Sequence, residues 1–328
     1  MSERVLITGA SGFLGFHLIE AALAIGLEVH AAVRKNSDVK HLQHFNIKYT
    51  YLDFDSISDL KTEIEKNQYQ YIIHAAGITK ADSQEQYNKI NATLTYNLGK
   101  AAAMADINLK KFVFVSSLAA IGPLEKPDGL LTEYSAPQPV TSYGKSKLLG
   151  EEWLANLGLP LTIIRPTAIY GPREKDIFIL FKTINRGWEP YIGKRQQQLS
   201  FVYVKDVADV IVNALFSKYQ NTVYNISDGH IHSRYELAEH IKFLLQKKTW
   251  QVHLPERMVK LLAVVLEKTY HVFNKVPALN REKLSELTAV NWNCSIEKAS
   301  RELGFSPSYS LKEGLTETID WYKKNNWI

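Results

Sequence analysis

Tyr143 and Lys147 are the residues whose types and spacing most directly suggest chemistry in this chain of 328 residues. They stand four positions apart at the start of a predicted helix, so the phenol and the ammonium share one helix face. Ser117 follows a predicted strand and could hydrogen-bond the same substrate oxygen. A free phenol has a pKa of about 10, and a fixed positive neighbour lowers it by stabilising the phenolate. The three side chains indicate proton exchange with an alcohol or carbonyl oxygen.

A glycine-rich turn near the amino terminus is the first element that must position this chemistry. An apolar strand from Val5 to Thr8 runs into three glycines and reopens as an amphipathic helix. Such glycines allow a sharp turn, close approach of a pyrophosphate and tight packing of the helix on the sheet. A lone glycine triplet can also be an ordinary turn, but the strand and helix around it favour a cofactor loop. The predicted loop residues are Gly9, Ser11, Gly12, Phe13, Leu14 and Gly15.

The spacing Gly-x-x-Gly-x-x-Gly, together with the chain length, resembles the extended short-chain dehydrogenase/reductase superfamily, which contains the NAD-dependent epimerase/dehydratase family. The later motifs strengthen the resemblance, because a Tyr-x-x-x-Lys pair alone arises often by chance. The resemblance implies an α/β fold, a doubly wound parallel (Rossmann) sheet with a smaller, mostly helical C-terminal substrate domain. We expect an NAD(P)-binding domain over 1–172, to which 199–226 returns, and a substrate domain from 173–198 and 227–328.

The resemblance also implies roles for individual residues. Ser117 would polarise the substrate oxygen, Tyr143 would act as acid or base, and Lys147 would lower the phenol pKa and hold the nicotinamide ribose. Asn91 would tie the backbone at a strand end to the active site, although a surface helix residue explains it equally well. His74 is expected to be packed rather than catalytic. Further cofactor contacts are implied for Ala75, Ala76, Gly77, Pro166 and Ile169.

The residues after the second predicted strand bear on the choice of cofactor. A carboxylate about 20 residues past the glycines would bind the ribose of NAD, whereas an Arg accommodates the phosphate of NADP. This chain has Arg34 and Lys35 there, so NADP is favoured over NAD, although both cations can also be solvated turn charges. By resemblance, Asp53 and Phe54 would contact adenine. Asp55 or Ser56 could instead simply cap the next helix.

Three positions bear on the substrate. Nucleotide-sugar enzymes of the family commonly carry Asn and Arg where this chain has Ala168 and Leu199, and dehydratases carry an acid pair at Leu118-Ala119. The segments 199–208, 277–281 and 291–294 look more like the branch of 3β-hydroxysteroid dehydrogenase-like proteins and dihydroflavonol reductases. We expect an NAD(P)-dependent oxidoreductase, an NADPH-dependent reductase or hydroxysteroid-dehydrogenase-like enzyme with an apolar small-molecule substrate. A nucleotide-sugar 4-epimerase with tightly held NAD and a non-catalytic dinucleotide-binding regulator stay open as alternatives.

Composition excludes several other classes. The net charge of +5 is scattered and predicts no nucleic-acid binding. The single cysteine, Cys294, cannot form an internal disulfide and is interpreted as a structural thiol. The pairs His41/His44 and His230/His232 have no completing ligands, so no metal site is expected.

The remaining expectations concern location, assembly and two helices. The chain shows no secretion signal and no integral membrane segment, so a cytoplasmic location is expected, and a homodimer is common in the resembling family. The most apolar run, 258–273, is interpreted as an amphipathic helix at a pocket edge, with a lesser chance of membrane-surface contact. The spacing of Ser233 and Glu236 predicts a capping box that opens a helix.

Overall fold

The computed structural model describes residues 2–272, 277 and 279–328; Phe273 and Ala278, which end or lie within segments interpreted above, are outside these residues. The strands are β1 (Arg4–Thr8), β2 (Glu28–Ala32), β3 (Lys48–Thr50), β4 (Tyr71–His74), β5 (Lys111–Val115), β6 (Leu161–Pro166), β7 (Ala168–Tyr170), β8 (Trp188–Ile192), β9 (Gln198–Leu199), β10 (Phe201–Tyr203), β11 (Thr222–Ile226), β12 (His232–Ser233) and β13 (Trp250–Leu254). The helices are α1 (Phe13–Ala24), α2 (Ile57–Asn67), α3 (Gln84–Asn88), α4 (Leu94–Met104), α5 (Ser142–Ala155), α6 (Phe178–Asn185), α7 (Val204–Ala214), α8 (Glu236–Leu245), α9 (Glu256–Val272), α10 (Arg281–Thr288), α11 (Glu297–Leu303) and α12 (Leu311–Lys324).

Seven parallel strands form the central sheet in the order β3-β2-β1-β4-β5-β6-β11. The chain adds β2 and β3 on one side of β1 and then crosses to add β4, β5 and β6 on the other. This reversal opens a crevice at the carboxyl ends of β1 and β4, where folds of this kind bind ligands. The predicted doubly wound parallel sheet is confirmed, and it sets the glycine turn after β1 beside the loop after β4.

Helices cover both faces of this sheet. Val5 and Ile7 of β1 are fully buried in a cluster with residues of α1 and α7. Leu6, between them, is fully buried in a second cluster with residues of α2, α4 and α5. Successive side chains of a strand point to opposite faces, so a strand covered on both faces is apolar throughout.

The C-terminal part is mostly helical and has an aromatic core. Its short sheets pair β7 with β10 and β8 with β13 in parallel, and β9 with β12 in antiparallel fashion. Tyr322 of α12 stacks on Trp327 with 5.3 Å between ring centroids. Buried side chains from α6, α8 and α12 fill the same core, among them Phe181, Leu237 and Leu315.

The helix starts confirm one capping prediction and correct another. Ser56 caps α2 by accepting a hydrogen bond from the Asp59 N–H. At Ser233 only half of the predicted capping box forms: its N–H donates to Glu236 Oε2 at 3.3 Å, but its hydroxyl accepts from the Tyr235 N–H and does not cap α8, which begins at Glu236. A complete capping box instead opens α12, between Ser310 and Glu313.

The predicted amphipathic helix is present as α9 over Glu256–Val272. Within the described residues, we find no helix whose length and apolar character would let it cross a membrane.

Candidate active site

The glycine turn after β1 leaves room for a ligand. Gly9 has a φ of +70°, and a Cβ there would lie 2.7 Å from the Ala75 carbonyl oxygen. A Cβ on Gly15 would overlap the Gly9 carbonyl. Helix α1 begins at Phe13, and its N-cap residue, Gly12, has no side chain to bind the free N–H groups. The turn therefore fits the phosphates of a dinucleotide, which these N–H groups would bind.

A buried hydrogen-bond chain fixes the neighbouring loop of Ala75, Ala76 and Gly77. His74 bonds Thr8 Oγ1 through Nδ1 at 2.7 Å and Thr95 Oγ1 through Nε2 at 2.9 Å. The Ala76 N–H donates to the same Thr8 oxygen at 3.1 Å. Complete burial lowers the pKa of His74 to about 3, with a smaller contribution from the positive charge of Lys147. His74 is a neutral packing residue, as the sequence predicted.

Asn91 joins this loop to α5, which carries the candidate residues Tyr143 and Lys147 and is called the catalytic helix below. It is fully buried in a π-helical turn, Lys89–Thr93. Its Oδ1 accepts from the Ile78 N–H at 2.8 Å, and its Nδ2 donates to the Ile78 carbonyl and to Ser146 Oγ, each at 3.0 Å. These bonds exclude a surface helix residue and give Asn91 the tethering geometry implied by the family resemblance.

Lys147 lies directly over the Gly77 loop. Its Nζ donates to the Val115 carbonyl at 2.9 Å, and a Cβ on Gly77 would lie 3.2 Å from that nitrogen. Burial lowers the pKa of Lys147 to about 8, although the nearby Glu151 carboxylate partly offsets this effect. The lysine is thus held at the carboxyl end of β5, next to the loop of small residues that ends at Gly77. A bound cofactor would lie over this loop.

Tyr143 lies one helical turn before Lys147, beside Ser117. Burial raises the pKa of the Tyr143 phenol to about 12; a hydrogen bond with Ser117 lowers it in part, and the charge of Glu286 raises it further. The sequence predicted that Lys147 would lower this pKa, and the direction found here is the opposite. The reason is that desolvation dominates the phenol, while the Lys147 ammonium is directed at the Val115 carbonyl.

A buried ion pair beneath the catalytic helix was not predicted. Glu151 of α5 and Arg165 of β6 form it, with the Arg165 Nε at 2.9 Å from Glu151 Oε1, and the Ser116 hydroxyl donates to the same carboxylate. Both side chains are almost entirely buried. Glu151 follows Lys147 by four residues, so the spacing was visible, but nothing in the sequence pointed to Arg165 as its partner.

Two carboxylates from α10 reach the start of the catalytic helix. Glu282 Oε1 accepts from the Ser142 N–H at 3.0 Å and from the Ser142 hydroxyl. Glu286 Oε1 lies 3.5 Å from Thr141 Oγ1. More than 130 residues separate α10 from these partners, so sequence reasoning missed this contact.

The predicted adenosine end of the site lies at the carboxyl ends of β2 and β3. Arg34 and Lys35 are exposed there, and the Arg34 N–H donates to Ser37 Oγ at 3.2 Å in a turn. Asp53 is exposed and accepts from the Asp55 N–H at 3.0 Å, while Phe54 is half-buried. These residues border the crevice without bonding to the catalytic residues.

The turn after β6 carries Pro166, Ile169 and Ala168. Pro166 ends β6 and is buried, and the following Thr167 N–H donates to the Ile226 carbonyl at 2.9 Å. Ile169 and the exposed Ala168 lie in β7, and the half-buried Leu199 lies in β9. Neither Ala168 nor Leu199 offers a charged group to a substrate.

A cleft of about 640 Å³ opens beside the catalytic helix. Tyr87 of α3 and Ser142 of α5 line it, as do Glu267, Arg281 and Glu282 of α9 and α10. Arg281 Nε pairs with Glu267 at 2.8 Å, which leaves the Glu282 side of the cleft acidic.

The histidines and the cysteine have structural surroundings. His41 and His44 lie near the Phe16 ring, and His232 bonds Asp228 at 2.6 Å and Glu236 at 2.8 Å. Within the described part of the chain, no group of three or more His, Cys, Asp or Glu side chains is arranged to hold a metal ion. Cys294 is buried, which raises its pKa to about 12.

Comparisons with known proteins agree with this geometry. Residues 5–227 match the sequence model of the NAD-dependent epimerase/dehydratase family. The chain is 26% identical to a UDP-glucose 4-epimerase of Vibrio cholerae, over 99% of this chain and 97% of that one. It is 25% identical to a ceramide reductase of Caulobacter vibrioides, over 99% and 96%.

Solved structures share the fold. The UDP-glucuronic acid 4-epimerase of Bacillus cereus in complex with NAD superposes with a TM-score of 0.76 at 22% identity, covering 98% of this chain and 99% of that chain. Together, the match over 5–227, the glycine turn and the Ser117, Tyr143 and Lys147 cluster show that the chain belongs to the NAD-dependent epimerase/dehydratase family and is an enzyme of the short-chain dehydrogenase/reductase type.

Proposed function

We propose that this enzyme transfers a hydride between a nicotinamide cofactor and the alcohol or ketone carbon of an apolar substrate. The observation that carries the proposal is a continuous line of contacts from the glycine turn to the catalytic side chains. Gly9 abuts Ala75, the loop ends at Gly77, and Gly77 abuts Lys147. One turn earlier on α5, Tyr143 lies beside Ser117. A bound dinucleotide would therefore end within reach of the phenol.

The chain's own residues supply the proton and the position. A bound nicotinamide supplies the hydride in reduction and takes it in oxidation. In reduction, the Tyr143 hydroxyl donates its proton to the substrate oxygen while the Ser117 hydroxyl bonds the same oxygen; in oxidation, the Tyr143 oxygen accepts that proton. Lys147, held by the Val115 carbonyl beside Gly77, would hold the ribose of a bound nicotinamide.

Two features favour an apolar substrate. Ala168 and Leu199 cannot make the charge-assisted bonds that a dianionic diphosphate needs when it leaves water. The wall beside Ser142 carries the carboxylate of Glu282, which would repel such an anion. The ceramide reductase relative shows that an enzyme similar along its length can carry an activity named for a lipid.

We also propose that NADP is preferred, because Arg34 and Lys35 are exposed at the end of β2 and no carboxylate stands at these two positions. The NAD in the Bacillus cereus structure belongs to that protein and argues for the opposite preference. Localisation in the cytoplasm and homodimerisation stay predictions from the sequence.

A nucleotide-sugar 4-epimerase with tightly held NAD is the second candidate. The similarity to the Vibrio cholerae UDP-glucose 4-epimerase over nearly the whole of both chains favours it. An epimerase would use the same phenol and hydroxyl, so the catalytic geometry is compatible with both candidates.

Nucleotide analysis of the purified protein, followed by titration with NADPH and NADH, separates the two. Reversible binding that is selective for NADPH, with reduction of apolar ketones, supports the first proposal. Retained NAD that resists exchange, together with interconversion of UDP-glucose and UDP-galactose, would overturn it in favour of the epimerase.

A further inference from the structure

The two-stranded sheet of β8 and β13 has two different faces. Parallel pairing sets Glu189 beside Gln251 and Tyr191 beside His253 on its inner face. There Glu189 and Tyr191 are buried, Tyr191 donates to Glu189 at 2.6 Å, and its ring stacks on that of His253. The inner face is thus fixed against the protein by packing and hydrogen bonds.

The outer face of the same sheet is wholly apolar. Alternation along the two strands places these side chains on it: Trp188, Pro190, Ile192, Trp250, Val252 and Leu254. Trp250 is 76% exposed and Trp188 is 53% exposed, and their rings meet edge to face. Large aromatic side chains are rarely left in water as a pair without a partner surface.

Helix α9 follows β13 in the chain and carries a second exposed apolar surface. It starts two residues after β13, and its spacing i, i+3, i+4, i+7 puts four exposed apolar side chains in one stripe: Met258, Leu261, Leu262 and Val265. Leu261 is 66% exposed, whereas Val259 and Ala263 on the opposite side are buried. We call the outer face of β8 and β13 together with this stripe the docking face.

Positive charges flank the docking face at both ends. Arg186, Lys247 and Lys248 precede the two strands, which lie side by side there because the Trp250 N–H donates to the Gly187 carbonyl at 2.8 Å. Lys194, Arg195 and Arg257 follow them, and Lys260 lies on α9. All seven are exposed; within 186–195 and 247–261, Glu256 is the only exposed carboxylate.

We propose that the docking face binds the surface of an anionic lipid membrane. Tryptophan pairs with flanking lysines and arginines suit the interface, where the rings enter the headgroup layer and the cations meet lipid phosphates. A second copy of the chain fits less well, because a two-fold interface would bring the same cations of both copies together. Docking of this kind requires no spanning helix.

The location of α9 connects the docking face with the cleft beside Ser142. One end of the helix bears the apolar stripe, and its other end supplies Glu267 to the cleft beside Ser142. A lipid could therefore pass from the membrane surface to the cleft along one element. This connection rests on the proposed function, whereas the docking itself does not.

Vesicle sedimentation with the full chain tests the proposal. We expect binding to vesicles of phosphatidylglycerol and phosphatidylcholine, and little binding to phosphatidylcholine alone. The double variants W250S/L261S and K247E/K248E should each raise the lipid concentration for half-maximal binding by about tenfold or more. Y134S and K323E/K324E, which change exposed residues elsewhere, are the matched controls and should bind as the wild type does.

Two results would overturn the proposal. One is that the wild type does not bind anionic vesicles, or that both double variants bind them as the wild type does. The other is a dimer in analytical ultracentrifugation that W250S/L261S converts to a monomer, which would assign the face to a second copy. NADPH and NADH affinities, measured on the same variants, report separately on the cofactor site, so failure of docking and failure of the proposed function are distinguishable.

Discussion

The carboxyl edge of the central sheet and the outer layer formed by β8, β13 and α9 use their side chains in opposite ways. At the sheet edge, His74, Asn91, Lys147 and Glu151 are buried polar residues, and each has a hydrogen-bond partner. In the outer layer, Trp188, Trp250 and Leu261 are apolar and exposed.

The difference indicates a division of roles, in which the sheet edge carries the chemistry and the outer layer carries recognition. Buried polar groups must find partners, so the sheet edge has one arrangement that positions a phenol and an ammonium. The exposed apolar face of the outer layer has no such constraint and can vary with the substrate or surface that it meets. Relatives named as epimerases and as a reductase fit this division, since function depends on sites carried by a shared fold.

The largest effect is expected for Tyr143→Phe, which removes the hydroxyl from the sheet edge and leaves the ring. Turnover of the substrate identified by screening should fall by about 10²- to 10⁴-fold, because acid/base catalysis is lost. The affinity for the nucleotide, measured by titration, should be retained. Tyr134→Phe, at an exposed tyrosine, is the control, and full turnover by Tyr143→Phe would refute the acid/base role.

Glu151→Ala should be the largest stability defect at the sheet edge. It leaves Arg165 charged and buried without its carboxylate, which costs about 3–5 kcal/mol of unfolding free energy. The control is Glu65→Ala, which breaks the more exposed pair with Lys61 and should cost much less. Urea unfolding measures both, and equal losses would mean that burial does not distinguish the two pairs.

His74 makes the stability of the sheet edge depend on pH. Its folded pKa of about 3 lies below the ordinary value of 6.5, so the unfolded state binds the extra proton as the pH falls through 6.5. Stability contributed by the neutral ring is therefore lost towards acid, by about 2 kcal/mol between pH 7 and pH 5. Urea unfolding of His74→Gln should show a correspondingly weaker loss over this interval, whereas the exposed His44→Gln should follow the wild type.

Arg34→Ala tests whether an exposed residue beside the sheet edge decides which nucleotide the protein prefers. If Arg34 binds the 2′-phosphate, the variant should weaken NADPH binding by about tenfold and leave NADH binding nearly unchanged. Fluorescence titration with both nucleotides measures the difference, with the exposed Lys218→Ala as the control. Equal weakening of both would remove Arg34 from that role.

The smallest effect is expected from a carboxylate of α10 that acts on Tyr143 at the sheet edge. The Glu286 charge raises the pKa of Tyr143, so Glu286→Gln should move the alkaline limb of the pH–rate profile to lower pH. Glu297→Gln, on α11, is a control at an exposed carboxylate. An unmoved profile would show that the α10 carboxylates act only by anchoring the start of the catalytic helix.

The sequence by itself determined the sheet, the glycine turn and the candidate catalytic side chains. These follow from short-range patterns: continuous apolar runs for buried parallel strands, three glycines at a strand end, and two residues one helical turn apart. Because parallel strands present their carboxyl ends at one edge, Gly9, Ala75 and Ser117 could be placed near one another before any contact was known.

Only the tertiary structure decided how these groups are tuned. The raised pKa of Tyr143, the pairing of Glu151 with Arg165 and the position of the α10 carboxylates depend on how separate elements pack. Burial and long-range pairing follow from which surfaces pack together, and local residue patterns do not contain that information. The docking face also depends on packing. Alternation along the strands predicts two faces for β8 and β13, but packing decides which of the two is exposed to water.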